Sequence, residues 1–147
     1  MSTHSYVGNH DLGRTGKVRL RYVHSDGNPG RMIPALRKIW VGAAAGDTTR
    51  LAELLLGHDW DYLDPDTTTD SGEAAFAGEQ LIAGVGMTLA ATDDDGHVLP
   101  PEPVTVVALN ATGDLDAQWI YLLDLGRDTV TMYTSGGTVY GTEPLAS

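Results

Sequence analysis

The sequence predicts an α+β domain of two layers, an antiparallel sheet with two helices packed on one of its faces, and three observations carry that expectation. Residues 18–23 alternate (Val18, Leu20 and Tyr22 against Arg19, Arg21 and Val23) and lead through a polar bend into a run whose apolar residues recur at helical spacing. A second helical stripe, Leu51, Leu54 and Leu55, follows closely. The last third of the chain holds β-rich runs bounded by turn residues. At 147 residues the chain is expected to form one domain, 1–147, with a core that needs no metal or disulfide staple.

Taken in order, Ser5, Tyr6, Val7 and Gly8 make a first short strand. A loop over 9–17, containing Gly13 and Gly16, lets it pair with 18–23 as an antiparallel hairpin. The bend His24-Ser25-Asp26-Gly27-Asn28-Pro29-Gly30 supplies residues that tolerate positive φ or preset φ at about −65°. Met32, Leu36, Ile39 and Trp40, flanked by Ile33, mark the buried stripe of the first helix, while Arg31, Arg37 and Lys38 fall off it. Pro34 lacks a backbone donor and is tolerated only in a first turn, which places the helix start near Arg31. Gly42-Ala43-Ala44-Ala45-Gly46 ends that helix. Asp47 then caps a second one over 48–56, stopped by Gly57.

Trp60, Tyr62 and Leu63 return to the core, and 64–80 reads as an acidic, turn-prone loop with one helical turn at 72–76. Residues 80–91 read as a strand kinked at Gly84 and Gly86, 92–96 as a turn, and 99–103 as an irregular proline-rich connection. Three β runs follow, over 104–110, 118–125 and 129–134. The last two form a hairpin through Gly126-Arg127-Asp128, and 138–141 adds a short edge strand.

The net charge is −11, unevenly distributed. Residues 1–50 hold eight basic side chains against three acids, a balance of +5, whereas residues 51–147 hold Arg127 against seventeen acids, a balance of −16. Two readings stand. Either the halves interdigitate and partly neutralise each other, or the acidic portion forms a face that repels nucleic acid and attracts a basic protein. The absence of cysteine excludes disulfides, thiolate zinc sites and cysteine nucleophiles. No basic region followed by an apolar core opens the chain and nowhere do eighteen apolar residues run together, so a cytoplasmic protein without a membrane span is expected.

Signatures of chemistry are sparse. His24 and Asp26 could form an acid/base pair or give two metal ligands, but His4, His10, His58 and His97 stand at no recognisable ligand spacing. The competing reading is a structural turn, with the imidazole hydrogen-bonded to backbone and Asp26 closing the bend. Asp64-Pro65-Asp66-Thr67-Thr68 spells the DxDxT nucleophile pattern of phosphotransferases of the haloacid-dehalogenase type. Only Tyr62 and Leu63 precede it as strand, however, and both lysines, Lys17 and Lys38, lie upstream. The EF-hand register fails from Asp59 and from Asp64, and Gly84-Val85-Gly86 lacks the third glycine of a dinucleotide fingerprint. No metal and no cofactor is expected. Arg19 and Arg21, with Arg37 and Lys38, could touch phosphate, but carboxylates of the acidic half are the expected mates.

The opening Met1-Ser2-Thr3-His4-Ser5 with Val7-Gly8, followed by Tyr22-Val23-His24-Ser25-Asp26-Gly27-Asn28-Pro29, resembles a family of small uncharacterised proteins from bacteriophages, chiefly of actinobacteria, and from their hosts. Tyr22, His24, Asp26, Gly27 and Pro29 match that family's turn, while Ser25 and Asn28 replace two aromatics and Val23 stands where cysteine is frequent. The resemblance covers about the first 40 residues and, loosely, an aromatic-rich final hairpin over 119–133. It implies mobile-element biology and no named activity.

The leading expectation is a non-enzymatic, phage-type accessory protein that binds a basic-surfaced host or defence protein through an acidic surface, with nucleic acid disfavoured and a homo-oligomer left open. Its candidate binding residues are Tyr22, His24, Asp26, Arg19 and Arg21. Two alternatives are a small hydrolase or nucleotide-processing enzyme using His24 and Asp26 as its weak catalytic candidates, and a minor structural protein of a virion.

Overall fold

The computed structural model describes residues 3–10, 13, 16–66, 81–89, 94–95, 104–115, 117–134 and 137–146. The helical turn expected at 72–76, the connection at 99–103 and most of the turn at 92–96 lie outside the described residues. The architecture is α+β: a mixed sheet with two helices.

Strand β1 (Ser5–His10) pairs antiparallel with β2 (Lys17–Val23), Ser5 opposite Val23 and His10 opposite Val18. The first strand is thus two residues longer than expected, and Asn9 belongs to the sheet, directly across from Arg19. Gly8 is required here by space rather than torsion, since a Cβ would fall 1.7 Å from the Arg19 carbonyl oxygen.

Helices α1 (Pro29–Val41) and α2 (Thr48–Leu56) follow, and the chain re-enters the sheet at β3 (Trp60–Leu63), parallel to β2 through Val23 and Trp60. Strands β4 (Leu81–Ile82) and β5 (Gly86–Thr88) pair antiparallel, and β5 joins β3 in the same sense. Strand β6 (Thr105–Ala108) lies antiparallel along the first half of β2 and runs into a 3-10 helix, Leu109–Asp114. Strand β7 (Trp119–Asp124) is parallel to β1, and β8 (Thr129–Thr134) and β9 (Val139–Pro144) complete the sheet by antiparallel hairpins. The strand order is β4-β5-β3-β2-β1-β7-β8-β9, with β6 beside β2.

The sheet is therefore mixed, not purely antiparallel as the sequence suggested. The reason lies in the connection: α1 and α2 together carry the chain back across the sheet, so β3 starts again in the direction of β2, as a crossover through helix requires. Three smaller corrections follow from turns. The expected kinked strand over 80–91 is a hairpin, because Gly84 takes φ +76° and reverses the chain. The run 104–110 is strand only to Ala108. The edge strand β9 extends to Pro144.

Helix α1 starts at Pro29, two residues before the expected position. Asn28 caps it, its Oδ1 accepting from the Arg31 amide at 3.2 Å, so Pro34 sits in the second turn and leaves the Gly30 carbonyl without its helical donor. Helix α2 begins as expected, with Asp47 Oδ1 accepting from the Arg50 amide. Its last carbonyls are closed by side chains from the sheet: Arg21 Nε donates to the Leu56 oxygen at 2.8 Å and Trp60 Nε1 to the Leu55 oxygen at 3.0 Å.

Strand alternation splits the core in two. Met32, Leu36, Ile39, Leu51 and Leu55 of the helices form one buried cluster with Val7, Val23, Tyr121, Leu123, Val130 and Met132. The residues between those in sequence, Val18, Leu20, Ile120 and Leu122, form a smaller cluster covered by Tyr6, Tyr133, Val107, Leu109 and Leu115.

Candidate functional site

The bend between β2 and α1 is held by backbone before any side chain acts. His24 and Ser25 amides donate to the Trp60 and Asp61 carbonyls, both at 2.9 Å, so pairing with β3 continues past the end of β2. Asp26 takes φ +58°, the left-handed conformation that the residues of this bend were expected to tolerate. Gly27 is needed for a different reason: a Cβ there would lie 2.6 Å from Ser5 Oγ and 2.8 Å from the Thr3 carbonyl oxygen. Its amide donates to that carbonyl at 2.9 Å, and its own carbonyl accepts from the Tyr121 hydroxyl at 2.6 Å. Tyr121 is fully buried, and burial pushes its hydroxyl far above the ordinary tyrosine range, so it remains a donor at any physiological pH.

A cleft of about 380 Å³ opens beside this bend, outside the carboxyl ends of the parallel pair β2 and β3, a place where open α/β sheets commonly bind ligands. Asp26, Arg31, Lys38, Tyr62, Asp64 and Asp66 contribute to its walls. Its cations have internal mates: Arg31 lies 3.7 Å from Asp26 and Lys38 lies 4.0 Å from Asp66. Asp64 Oδ1 accepts from the Asp66 amide at 2.9 Å, which gives the Asp-Pro-Asp stretch a turn-forming role of its own.

His24 is not among the residues lining this cleft. Its Nδ1 sits 3.2 Å from the Tyr22 hydroxyl, and its ring stacks on His4 with centroids 4.8 Å apart. Tyr22 meets His4 edge-on at 5.5 Å and Tyr6 at 5.4 Å, completing a four-ring group. Asp26 instead pairs with Arg31, both largely exposed. The two weak catalytic candidates are thus partnered separately, one in the ring group and one at the cleft.

The remaining candidates also separate. Arg21 is only 5 % exposed, and besides closing α2 it places a guanidinium nitrogen 3.7 Å from Asp59, whose Oδ1 accepts from the Tyr22 amide at 3.1 Å. It is a structural group and offers a partner no outer surface. Arg19 is exposed and stands beside Asn9. The expected basic patch of Arg19, Arg21, Arg37 and Lys38 is accordingly dispersed, since Arg37 pairs with Glu143 at 3.1 Å and donates to the Pro144 carbonyl. Next to Arg21, His58 packs edge-on to Trp60. Burial holds its imidazole below the usual range, Arg21 adds to this, and Asp59 opposes it.

Asn9 is a buried polar strand residue that sequence reading missed, because ending the first strand at Gly8 assigned it to a loop. The alternation Ser5, Val7, Asn9 was the available signal, for it places Asn9 on the face of Val7. Among the described residues no three His, Asp or Glu side chains converge as a metal site, and no helix is long and apolar enough to cross a membrane. Compared with family models, curated proteins and solved structures, the chain matches none of them.

Proposed function

We propose that this chain is a non-enzymatic, cytoplasmic accessory protein of the kind bacteriophages carry, and that it binds a basic-surfaced host or defence protein through its acidic exterior. The observation that carries this reading is the net charge of −11, which persists although the two halves interdigitate and partly neutralise each other through ion pairs. Arg21, Arg37 and Lys38 of the basic first third lie within 4.0 Å of Asp59, Glu143 and Asp66 of the acidic remainder. Arg31 and Arg127 have carboxylate neighbours as well. Among the described residues these ion pairs engage five cations, and the net charge of the chain remains −11. The resemblance of the opening and the bend to phage proteins supplies the biological setting.

The hydrolase alternative requires His24 and Asp26 at one centre, and their separate partners favour it with no observation. Capture from host lysate on the immobilised chain tests the proposal, first at about 0.05 M and then at about 0.5 M salt, where screening shortens electrostatic reach severalfold. The expected result is one basic protein, retained at low salt, released at high salt and bound again when purified. Recovery of nothing, or of a neutral partner indifferent to salt, contradicts it.

A further inference from the structure

The register of β1 with β2, in which Ser5 faces Val23 and Tyr6 faces Tyr22, sets His4 against His24 one step beyond both strands. Alternation puts His4 and Tyr6 on the same face as Tyr22 and His24, so two imidazoles lie side by side next to a pair of tyrosines. All four side chains are half-buried and still meet solvent. Both histidine backbones are fixed. The His24 amide donates to the Trp60 carbonyl at 2.9 Å, while the His4 amide donates to Gln118 Oε1 at 2.9 Å and the His4 carbonyl accepts from the Gln118 amide at 3.0 Å. The pair is made by the hairpin, and no ligand spacing in the sequence announces it.

From this juxtaposition we infer that His4 and His24 together bind a zinc ion, His24 through Nε2, with water in the remaining coordination positions. A zinc–imidazole bond is about 2.0–2.1 Å long and four-coordinate zinc is tetrahedral, so two rings ligating one ion hold their centroids about 5 Å apart. The centroids of His4 and His24 are 4.8 Å apart. Their planes lie 28° from parallel, and the Cβ–Cγ torsion that turns each ring toward a shared ion is a soft one in histidine. His24 also has the outer partner that a ligating imidazole requires. Its Nδ1 lies 3.2 Å from the Tyr22 hydroxyl, and with that nitrogen donating, the Nε2 lone pair is left for the metal. Imidazole favours zinc over magnesium and calcium, which take oxygen ligands. The net charge of −11 draws in any cation, so the selection between them falls to the rings.

The test is a titration of the nitrogen-labelled full chain with zinc chloride, and with magnesium chloride as the control, followed by NMR in the imidazole resonances. Those of His4 and His24 should move together and saturate as one site, with Nε2 of His24 responding as the ligand. The resonances of His10 and His58 should stay in place over the same range, and magnesium should move none of them. His4→Gln and His24→Gln should each weaken zinc binding by more than about tenfold, since the loss of a ligand's outer partner alone costs about that much. Both positions are half-exposed, and the dispersion of the spectrum verifies that each variant is folded. No response of His4 and His24 up to about 1 mM zinc, an equal response at His10, ligation through Nδ1 of His24, or full affinity in either folded glutamine variant overturns the proposal.

Discussion

Each end of this sheet leaves one buried polar atom without a partner among the described residues, Ser5 Oγ at the bend and Asn9 Oδ1 at the other end, but their charged groups differ. At the bend, Gly27 has its amide on Thr3 and its carbonyl under Tyr121, Arg31 faces Asp26, and Lys38 faces Asp66. At the other end, Asn9 is buried with a bare carbonyl and Arg19 beside it has no carboxylate neighbour among the described residues. Both lie outside the carboxyl ends of parallel strands, so topology alone does not distinguish them. What distinguishes them is the pairing of charge.

The sharpest way to break this comparison is to remove the guanidinium that closes α2. Arg21→Ala leaves the Leu56 carbonyl without its donor and takes the guanidinium away from Asp59, and should cost about 3–5 kcal/mol in denaturant unfolding. At the bend, Tyr121→Phe strips the Gly27 carbonyl of its donor and should cost about 1–3 kcal/mol by the same measurement. At the opposite end the sign reverses. Asn9→Leu replaces an unpartnered polar group and should be neutral or stabilising by up to about 1 kcal/mol, where an ordinary buried asparagine would lose stability.

His58 gives the comparison a pH dependence. Its folded pKa lies below its unfolded value of 6.5, so between those two values the unfolded chain binds more protons. The corresponding stability is present above pH 6.5 and is lost as pH falls through the depressed folded value. Thermal melts should therefore show midpoints falling below pH 6.5, with a shallower fall in His58→Gln. The smallest effect belongs to the exposed pair at the bend: with side chains 70 % and 60 % exposed, Arg31 and Asp26 should contribute no more than about 0.5 kcal/mol in a double-mutant cycle.

Legibility from sequence followed the range of the forces involved. Helix α2 and the β7–β8 hairpin were readable because Asp47, Gly57 and the turn at 126–128 act on their own neighbours. The parallel pairings of β2 with β3 and β1 with β7 were not, since nothing in an alternating strand states the direction of its partner. The start of α1 was misplaced because Pro34 was given more weight than the Asn28-Pro29 cap signal. Of the candidate site residues, His24 and Asp26 both lie at the bend. Their different partners depend on His4 and Arg31, and Arg21 was taken for a surface cation because its burial under α2 is a tertiary fact. Asn9 was lost to a boundary error of two residues.

Native-state hydrogen exchange at the amides of His24, Ser25 and Gly27 tests most directly the claim that the bend is a packing device. These amides donate to Trp60, Asp61 and Thr3. If the bend is part of the cooperative core, they exchange with the free energy of global unfolding, matching the amides at the centre of β7. Exchange at the rate of a fraying loop, with β7 still protected, would contradict it and return the bend to the list of regions free to move around a ligand.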